Sequence, residues 1–313
     1  MRNALILLSI TYILSQFFRA FLAVLTPVLG ADLGATALNL SQASGAWFLV
    51  FAAMQLPVGW ALDTVGPRRT TALLLAMGCG GGCAVFAVAG APWHITVAMG
   101  LIGVGCSPVL MASFFLIARG YSAQVFATYA GLVIAVGNLG NIGASLPMAL
   151  MVDAIGWRAA LLVLGGLSVV CAALIYWITP DPAPAQTDQK GSLWDLLRLP
   201  ALWLILPLML VNYAPAAGIR GLWAGPFLEH SFLSTASDIG VATMVMGVAM
   251  VLGSAVFGPL ERALGTRKWL IFTASLVSVV LCFALGLIGA NGYWGAVAIM
   301  AAIGVIGTGF PVI

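Results

Sequence analysis

Residues 59–69 read GWALDTVGPRR, and residues 258–268 read GPLERALGTRK. The two stretches share their glycines and a basic end at an offset of 199 residues, and each follows an apolar segment. The same offset relates Pro27 to Pro226, at the ends of two earlier apolar segments. Tandem halves of equal topology are an architecture of transporters. The repeat therefore predicts a chain built from two related halves.

The composition is that of a membrane protein. Hydrophobic residues make up 62% of the 313 residues and charged residues only 7%, whereas soluble domains carry about 25% charged residues. A helix of about 20 apolar residues spans the hydrocarbon core of a bilayer. Ten membrane helices are predicted, at 4–29, 43–62, 70–90, 93–117, 125–151, 159–178, 201–228, 239–258, 269–289 and 293–313.

The distribution of positive charge predicts the orientation. With Met1 in the cytoplasm, nine of the twelve Lys and Arg residues lie at cytoplasmic ends or loops, and only Arg158 lies outside. Such an excess is typical of the cytoplasmic side, so we expect a plasma (inner) membrane protein with a cytoplasmic N-terminus. The basic residues occur singly or in pairs, so no nucleic-acid partner is expected.

A polar stretch divides the chain. Residues 179–200 predict a cytoplasmic linker that ends in a short amphipathic helix on the membrane surface. The N-terminal half, 1–178, is predicted to hold six helices. The C-terminal half, 201–313, holds four of the six helices that the repeat leads us to expect, so we expect the chain to be truncated after its tenth helix.

The repeated loop also carries a family resemblance. It resembles the signature loop of the major facilitator superfamily (MFS), through Gly59, Asp63, Gly66, Arg68 and Arg69, and in its degenerate second copy through Gly258, Gly265 and Lys268. The resemblance implies an all-α membrane protein, an MFS-type helical bundle of two pseudo-symmetric halves that works by alternating access.

The resemblance also gives the loop aspartate a role. In the family, this aspartate holds the two halves in one conformation by contacting the eleventh helix. Asp63 would play that part here. The partner helix is one that this chain lacks. The second copy departs from the first, with Arg262 at the position of Asp63. Met99 stands where many proton-coupled members carry an arginine, so the resemblance does not extend to proton coupling.

Two arginines inside predicted spans are the main candidate site residues. Tyr12, Gln16 and Arg19 share one helical face, and the seven-residue spacing from Tyr12 to Arg19 recurs from Tyr213 to Arg220. A charge at the centre of a lipid-exposed helix costs about 3 kcal/mol, so we predict that these five residues line a central cavity and bind substrate. The competing interpretation is structural, with each arginine bound to backbone carbonyls or reaching to the interface.

No Asp or Glu lies inside a predicted span. Because two guanidinium groups would leave a cavity electropositive and suit carboxylate, nitrate or phosphate, the sequence favours a secondary-active or facilitative transporter of a small anion. Transport of neutral or hydrophobic compounds, of the efflux type, and a non-transporting membrane scaffold or assembly factor remain open alternatives.

The other expectations are negative or weak. No nucleophile, phosphate loop or metal cluster indicates an enzyme or a cofactor. Cys79 and Cys83 would suit a soft metal such as Cu(I), but their glycine-rich surroundings favour helix packing instead. The expected partners are the lipid bilayer and a small solute, and the expected oligomeric state is a monomer.

Overall fold

The computed structural model describes residues 2–181, 198, 200, 203, 214–288 and 292–307. In this part of the chain, helices are the only regular secondary structure. Two compact units are present: unit 1 comprises Met1–Pro184 and Ala224–Val241, and unit 2 comprises Ala185–Trp223 and Ala242–Ile313. The halves at 1–178 and 201–313 stay predictions, and most of the linker at 179–200 lies outside the described residues.

The helices follow one another with short connections. In chain order the described α-helices are α1 (Arg2–Phe17), α2 (Thr26–Leu33), α3 (Ala37–Ala53), α4 (Gln55–Thr64), α5 (Pro67–Leu74), α6 (Gly81–Ala87), α7 (Pro92–Gly120), α8 (Ala123–Gly143), α9 (Leu146–Ile178), α10 (Ala214–Gly218), α11 (Ala224–Phe232), α12 (Ala236–Leu264), α13 (Arg267–Ile288) and α14 (Tyr293–Gly307). A 3₁₀ turn covers Phe21–Ala23, and π-helical turns cover Leu75–Gly80 and Ile219–Trp223.

The helices fit a membrane. Within the described residues, seven helical stretches are long and apolar enough to cross a bilayer, and α14 is a shorter apolar helix. The predicted all-α membrane fold is thereby confirmed. The first part of the predicted span at 201–228 lies outside the described residues.

Several of the predicted spans are interrupted, which corrects their boundaries, and in two of them the resuming helix carries a proline in its first turn. The span at 4–29 breaks after Phe17 and resumes as α2, and the span at 125–151 breaks between α8 and α9. Pro27 and Pro147 each lie in the first turn of the helix that resumes. Proline lacks the backbone N–H that a helix interior needs, but it is tolerated in a first turn. Apolar composition alone did not reveal these breaks.

Glycines form the turns of the repeated loop. Gly66 has a φ of +99° and Gly265 a φ of +63°, in the left-handed region that side chains with a Cβ rarely adopt. Gly66 and its counterpart in the second copy therefore use the same kind of backbone. The two turns support the internal repeat independently of side-chain identity.

Close helix contacts in unit 1 fix the helices that carry the candidate site. A Cβ at Gly103 of α7 would lie 2.7 Å from the carbonyl oxygen of Trp47 on α3. On α8, a Cβ at Gly137 would overlap the Tyr12 ring, and one at Gly140 would overlap the carbonyl oxygen of Ile13. Small residues let membrane helices approach this closely, so α3 packs tightly against α7 and α1 packs tightly against α8.

Candidate functional site

Arg19 lies at the point where the first predicted span stops being α-helical. The residue follows the end of α1 and precedes the 3₁₀ turn, and its side chain is half-buried. The guanidinium carbon lies 5.3 Å from the ring centroid of Trp47 and 5.7 Å from that of Phe51. Cations at this distance are attracted to the faces of aromatic rings. The structure therefore places Arg19 against an aromatic wall.

The aromatic wall belongs to α3. The rings of Trp47 and Phe51 stack with centroids 4.9 Å apart and planes 11° apart, as expected for residues one helical turn apart. Phe48 packs edge-on against Trp47, with centroids 4.9 Å apart. Trp47 is only 1% exposed, so its position is set by packing in the interior of unit 1.

Tyr12 and Gln16 extend the polar surface along α1. Both side chains are buried, and Nε2 of Gln16 donates a hydrogen bond to the hydroxyl of Tyr12 at 2.9 Å. The bond confirms that these two residues share a helix face, as their spacing predicts. Arg19 lies beyond the end of α1, so the shared helix face is seen for Tyr12 and Gln16, and the place of Arg19 beside them stays a prediction.

Two buried polar atoms near Arg19 lack hydrogen-bond partners among the described residues. They are the amide oxygen Oε1 of Gln16 and the indole nitrogen Nε1 of Trp47. A buried donor or acceptor without a partner costs about 1–3 kcal/mol. The Gln16 oxygen is an acceptor and the Trp47 nitrogen is a donor.

Arg220 lies in unit 2 and differs from Arg19 in its surroundings. It occupies the π-helical turn Ile219–Trp223 and is 2% exposed. Its Nε donates to the carbonyl oxygen of Thr243 at 3.3 Å, and a Cβ at Gly247 would lie 3.1 Å from Nη2. Its burial against α12 does not fit a side chain that reaches to the membrane interface, whereas the bond to the Thr243 carbonyl fits the structural interpretation of an arginine bound to backbone carbonyls. Tyr213 lies outside the described residues.

The first copy of the signature loop is held by contacts to α7 and α9. Asp63 and Arg119, at the end of α7, form an ion pair with a separation of 3.8 Å. The backbone N–H of Arg68 donates to Oδ1 of Asp181 at 3.0 Å, and the Arg68 guanidinium lies 4.3 Å from the Tyr176 ring. Asp181 therefore binds a free N–H at the start of α5, where a negative charge is favourable.

The remaining predicted loop residues are dispersed. Gly59 faces Met111, whose Cε would lie 3.6 Å from an added Cβ, which agrees with its predicted packing role. Arg69 is exposed. In the second copy, Gly258 lies within α12 and Lys268 is an exposed residue of the first turn of α13. The latch role of Asp63 stays a prediction.

At the opposite end of unit 1, one carboxylate joins two helices. Asp32 forms an ion pair with Arg158 and accepts a hydrogen bond from the indole nitrogen of Trp157 at 3.0 Å. Arg158 also donates to the carbonyl oxygen of Ala89 at 3.0 Å. The hydrogen bond from Arg158, followed by that from Trp157, lowers the pKa of Asp32 below its usual 3.8. We call this cluster the outer clasp.

Cys79 lies in a closely packed, glycine-rich segment. Among the described residues, no group of three or more His, Cys, Asp or Glu side chains is placed to hold a metal ion. The thiol of Cys79 instead contacts that of Cys106 on α7, with the sulfurs 3.6 Å apart, beside the close approach of Gly78 and Gly105. The helix-packing interpretation of these glycine-rich segments is the one that the geometry supports.

Sequence reasoning missed Trp47, Phe51 and Arg119 as partners of the predicted site residues. Trp47 and Phe51 lie four residues apart in the predicted span at 43–62, which places two aromatic rings on one helix face. This aromatic pair was the available signal. Arg119 was assigned only to the cytoplasmic charge excess.

Comparisons with known proteins agree with this architecture. The "MFS-type efflux pump" of Mycolicibacterium smegmatis is 25% identical over 190 residues, covering 58% of this chain and 44% of that protein. The "Probable sulfoacetate transporter SauU" of Cupriavidus necator is 24% identical over 267 residues, covering 79% and 60%. The chain thus spans about half the length of these curated relatives.

A solved structure shows the same fold. A bacterial homolog of the human lysosomal transporter Spinster, in an inward-facing and occupied conformation, superposes with a TM-score of 0.75 at 17% identity, covering 98% of this chain and 72% of that one. The family model for the Major Facilitator Superfamily matches residues 8–313. This is a family of transporters, which agrees with the expectation that the chain is not an enzyme. The chain belongs to the Major Facilitator Superfamily.

Proposed function

We propose that the protein transports a small organic anion across the plasma membrane by alternating access, with its N-terminus in the cytoplasm. Arg19 is the observation that carries the proposal. It is a half-buried cation within an apolar span, and an intramembrane charge is a functional candidate by default. Its planar guanidinium suits a carboxylate or sulfonate through paired hydrogen bonds.

The neighbours of Arg19 support a ligand of mixed polarity. The indole N–H of Trp47 is a second donor to an anionic group, and the amide oxygen of Gln16 is an acceptor. A small anion that also carries a hydroxyl or amino group matches all three. Tyr12 orients Gln16 through their hydrogen bond, so we assign it to the same site.

The comparison with a named sulfoacetate transporter points the same way. The SauU protein of C. necator shares 24% identity over 267 residues, and sulfoacetate carries two acidic groups. Proteins this distant carry many different solutes on one fold, so the similarity extends only to the chemical class of the substrate. It supports the class of small organic anions.

Arg220 is the second proposed binding residue, in the other repeat. One of its donors binds the carbonyl oxygen of Thr243, and a guanidinium has five N–H donors. The assignment of Arg220 to binding rests on the repeated seven-residue spacing from a tyrosine, which relates it to Arg19. Tyr213 stays with Arg220 as a proposed partner from the repeated spacing alone.

An uncharged or hydrophobic substrate is the competing proposal. The Arg19 guanidinium lies against two aromatic rings, and cation–π contacts of this kind stabilise a charge without a bound anion. The aromatic wall would then contact apolar solutes, as an efflux transporter requires. One relative is named as an efflux pump.

Uptake into proteoliposomes distinguishes these proposals. Purified full-length protein, Arg19→Gln and Arg19→Lys are compared for uptake of sulfoacetate, a dicarboxylate of similar size and an uncharged sugar. Arg2→Gln is the matched control, because Arg2 is an exposed arginine at the start of α1, away from Arg19. We expect anion uptake to be lost in Arg19→Gln, reduced in Arg19→Lys and retained in Arg2→Gln. Equal anion uptake by Arg19→Gln and the parent would refute the anion proposal.

A further inference from the structure

A groove on unit 1 lies away from Arg19 and is not explained by transport of a small solute. It has a volume of about 420 Å³, within the range of about 300–1,000 Å³ that is typical of ligand sites. α5, with the π-helical turn that follows it, forms one wall, and α9 forms the other. The lining residues are Arg69, Ala72, Leu73, Ala76, Val169, Ala172, Ala173 and Tyr176.

Small side chains create the groove. Ala72 and Ala172 are buried and form its floor, while Ala76 and Ala173 are half-buried and leave space between the helices. Farther along, a Cβ at Gly80 would lie 2.7 Å from Cγ2 of Val169. The two helices therefore touch at Gly80, which closes one end of the groove, and Tyr176 lies at the other end.

The surface around the groove is apolar and exposed. Leu73 is 59% exposed and Val169 is 47% exposed. On a membrane-spanning helix, such a surface faces the acyl chains of the bilayer. The groove is thus accessible from the lipid phase, and its lining suits a hydrocarbon chain.

The open end of the groove carries a positive charge. Arg69 is exposed and, within the part of the chain that the structure describes, it forms no ion pair. Asp181 is nearby, but its carboxylate binds the backbone N–H of Arg68, whose guanidinium covers the Tyr176 ring. This end lies on the side predicted to be cytoplasmic, where anionic headgroups and interfacial tyrosines are found.

We propose that this groove binds one anionic glycerophospholipid. An acyl chain lies between α5 and α9 over the four alanines, and the headgroup phosphate binds Arg69. The positive charge of Arg69 favours a lipid with an anionic headgroup. The alanines that form the floor of the groove distinguish it from an ordinary lipid-facing surface. The site is independent of the proposed substrate.

The test compares ligands that differ in one feature. Full-length protein in detergent is titrated with phosphatidylglycerol, with phosphatidylcholine of the same acyl chains and with inorganic phosphate, while thermal unfolding is followed. We expect phosphatidylglycerol to stabilise the protein at lower concentration than phosphatidylcholine, and inorganic phosphate to have no effect. Equal stabilisation by inorganic phosphate would overturn the proposal, because the site would then bind a free anion.

Two variants separate the headgroup from the chain. Arg69→Gln should weaken phosphatidylglycerol binding about five-fold, as expected for one cation near an anionic lipid surface, and leave phosphatidylcholine binding unchanged. Ala76→Leu fills the groove and should abolish the effect of both lipids. The matched controls are Lys268→Gln, an exposed cation elsewhere, and Ala84→Leu, an exposed alanine of α6 outside the groove.

The outcome for Arg69→Gln decides the proposal even if Ala76→Leu fails to fold, because Arg69 is exposed and its replacement leaves the core intact. If Arg69→Gln and the parent bind phosphatidylglycerol equally, no headgroup site exists and the proposal is wrong. Loss of phosphatidylglycerol binding in Lys268→Gln would also overturn it, since the effect would then follow total charge.

Discussion

Replacement of Arg19 by glutamine removes the guanidinium that lies 5.3 Å from the Trp47 ring centroid. Two effects on folding oppose each other. The lost cation–π contact destabilises the protein by about 0.5–2 kcal/mol, whereas removal of an intramembrane charge avoids an insertion cost of about 2.5–3.5 kcal/mol. We therefore expect Arg19→Gln to insert and fold, so that any loss of anion binding is a local effect.

The loss of binding can be sized from the chemistry of the contact. A hydrogen bond to a charged group contributes about 1.5–3 kcal/mol, which corresponds to roughly 10- to 150-fold in the dissociation constant. An anion at a concentration of 100 times the dissociation constant of the parent protein stabilises the parent's fold by about 2.7 kcal/mol. At the same concentration, a ten-fold weaker variant gains about 1.4 kcal/mol and a 100-fold weaker one about 0.4 kcal/mol.

Ligand-dependent unfolding measures this difference directly. The parent, Arg19→Gln and Arg19→Lys are unfolded thermally at fixed concentrations of sulfoacetate and of a dicarboxylate. Arg19→Lys should lie between the other two, because lysine keeps the charge but lacks the planar fork. If Arg19→Gln gains as much stability from the anions as the parent, the guanidinium does not bind them and Arg19 is structural.

Three further predictions concern the ends of the spans. In intact cells, an impermeant thiol reagent should label Asp32→Cys but not Asp188→Cys, a residue outside the described part of the chain; the reverse pattern would invert the orientation. Asp63→Asn should lower the maximal transport rate more than the substrate affinity, measured by initial rates of uptake, because a latch controls conformational exchange; a pure affinity loss would assign Asp63 to binding. Since the folded-state pKa of Asp32 is lowered below 3.8, its pairing with Arg158 stabilises the fold above that pH and is lost as pH falls further. Asp32→Asn should therefore unfold at a lower temperature than the parent at pH 7, and the difference should vanish at strongly acidic pH; a difference that persists there would contradict the pairing.

Much of the fold could be predicted because it depends on local chemistry. A left-handed backbone conformation favours glycine, and Gly66 and Gly265 both adopt that conformation at their tight turns. The hydrogen bond between Tyr12 and Gln16 follows from four-residue spacing on a helix. Such features depend on neighbours in sequence, which a single chain reveals.

The partners of the site residues could not be predicted in the same way. Trp47 meets Arg19 only because α3 packs beside the break after α1, and Arg119 meets Asp63 only because α7 ends near the loop. Both contacts are tertiary, and sequence spacing says nothing about them. Arg220 shows the same limit, since its burial depends on the space that Gly247 leaves on α12.

The outer clasp has a mechanical consequence for unit 1. Asp32 follows the first span, Ala89 follows α6, and Trp157 and Arg158 belong to α9. Because the Arg158 side chain contacts both Asp32 and Ala89, it ties the outer ends of three membrane segments at one point. A tilt of any one of these segments strains its contacts to the other two, so the movements of the three ends are coupled.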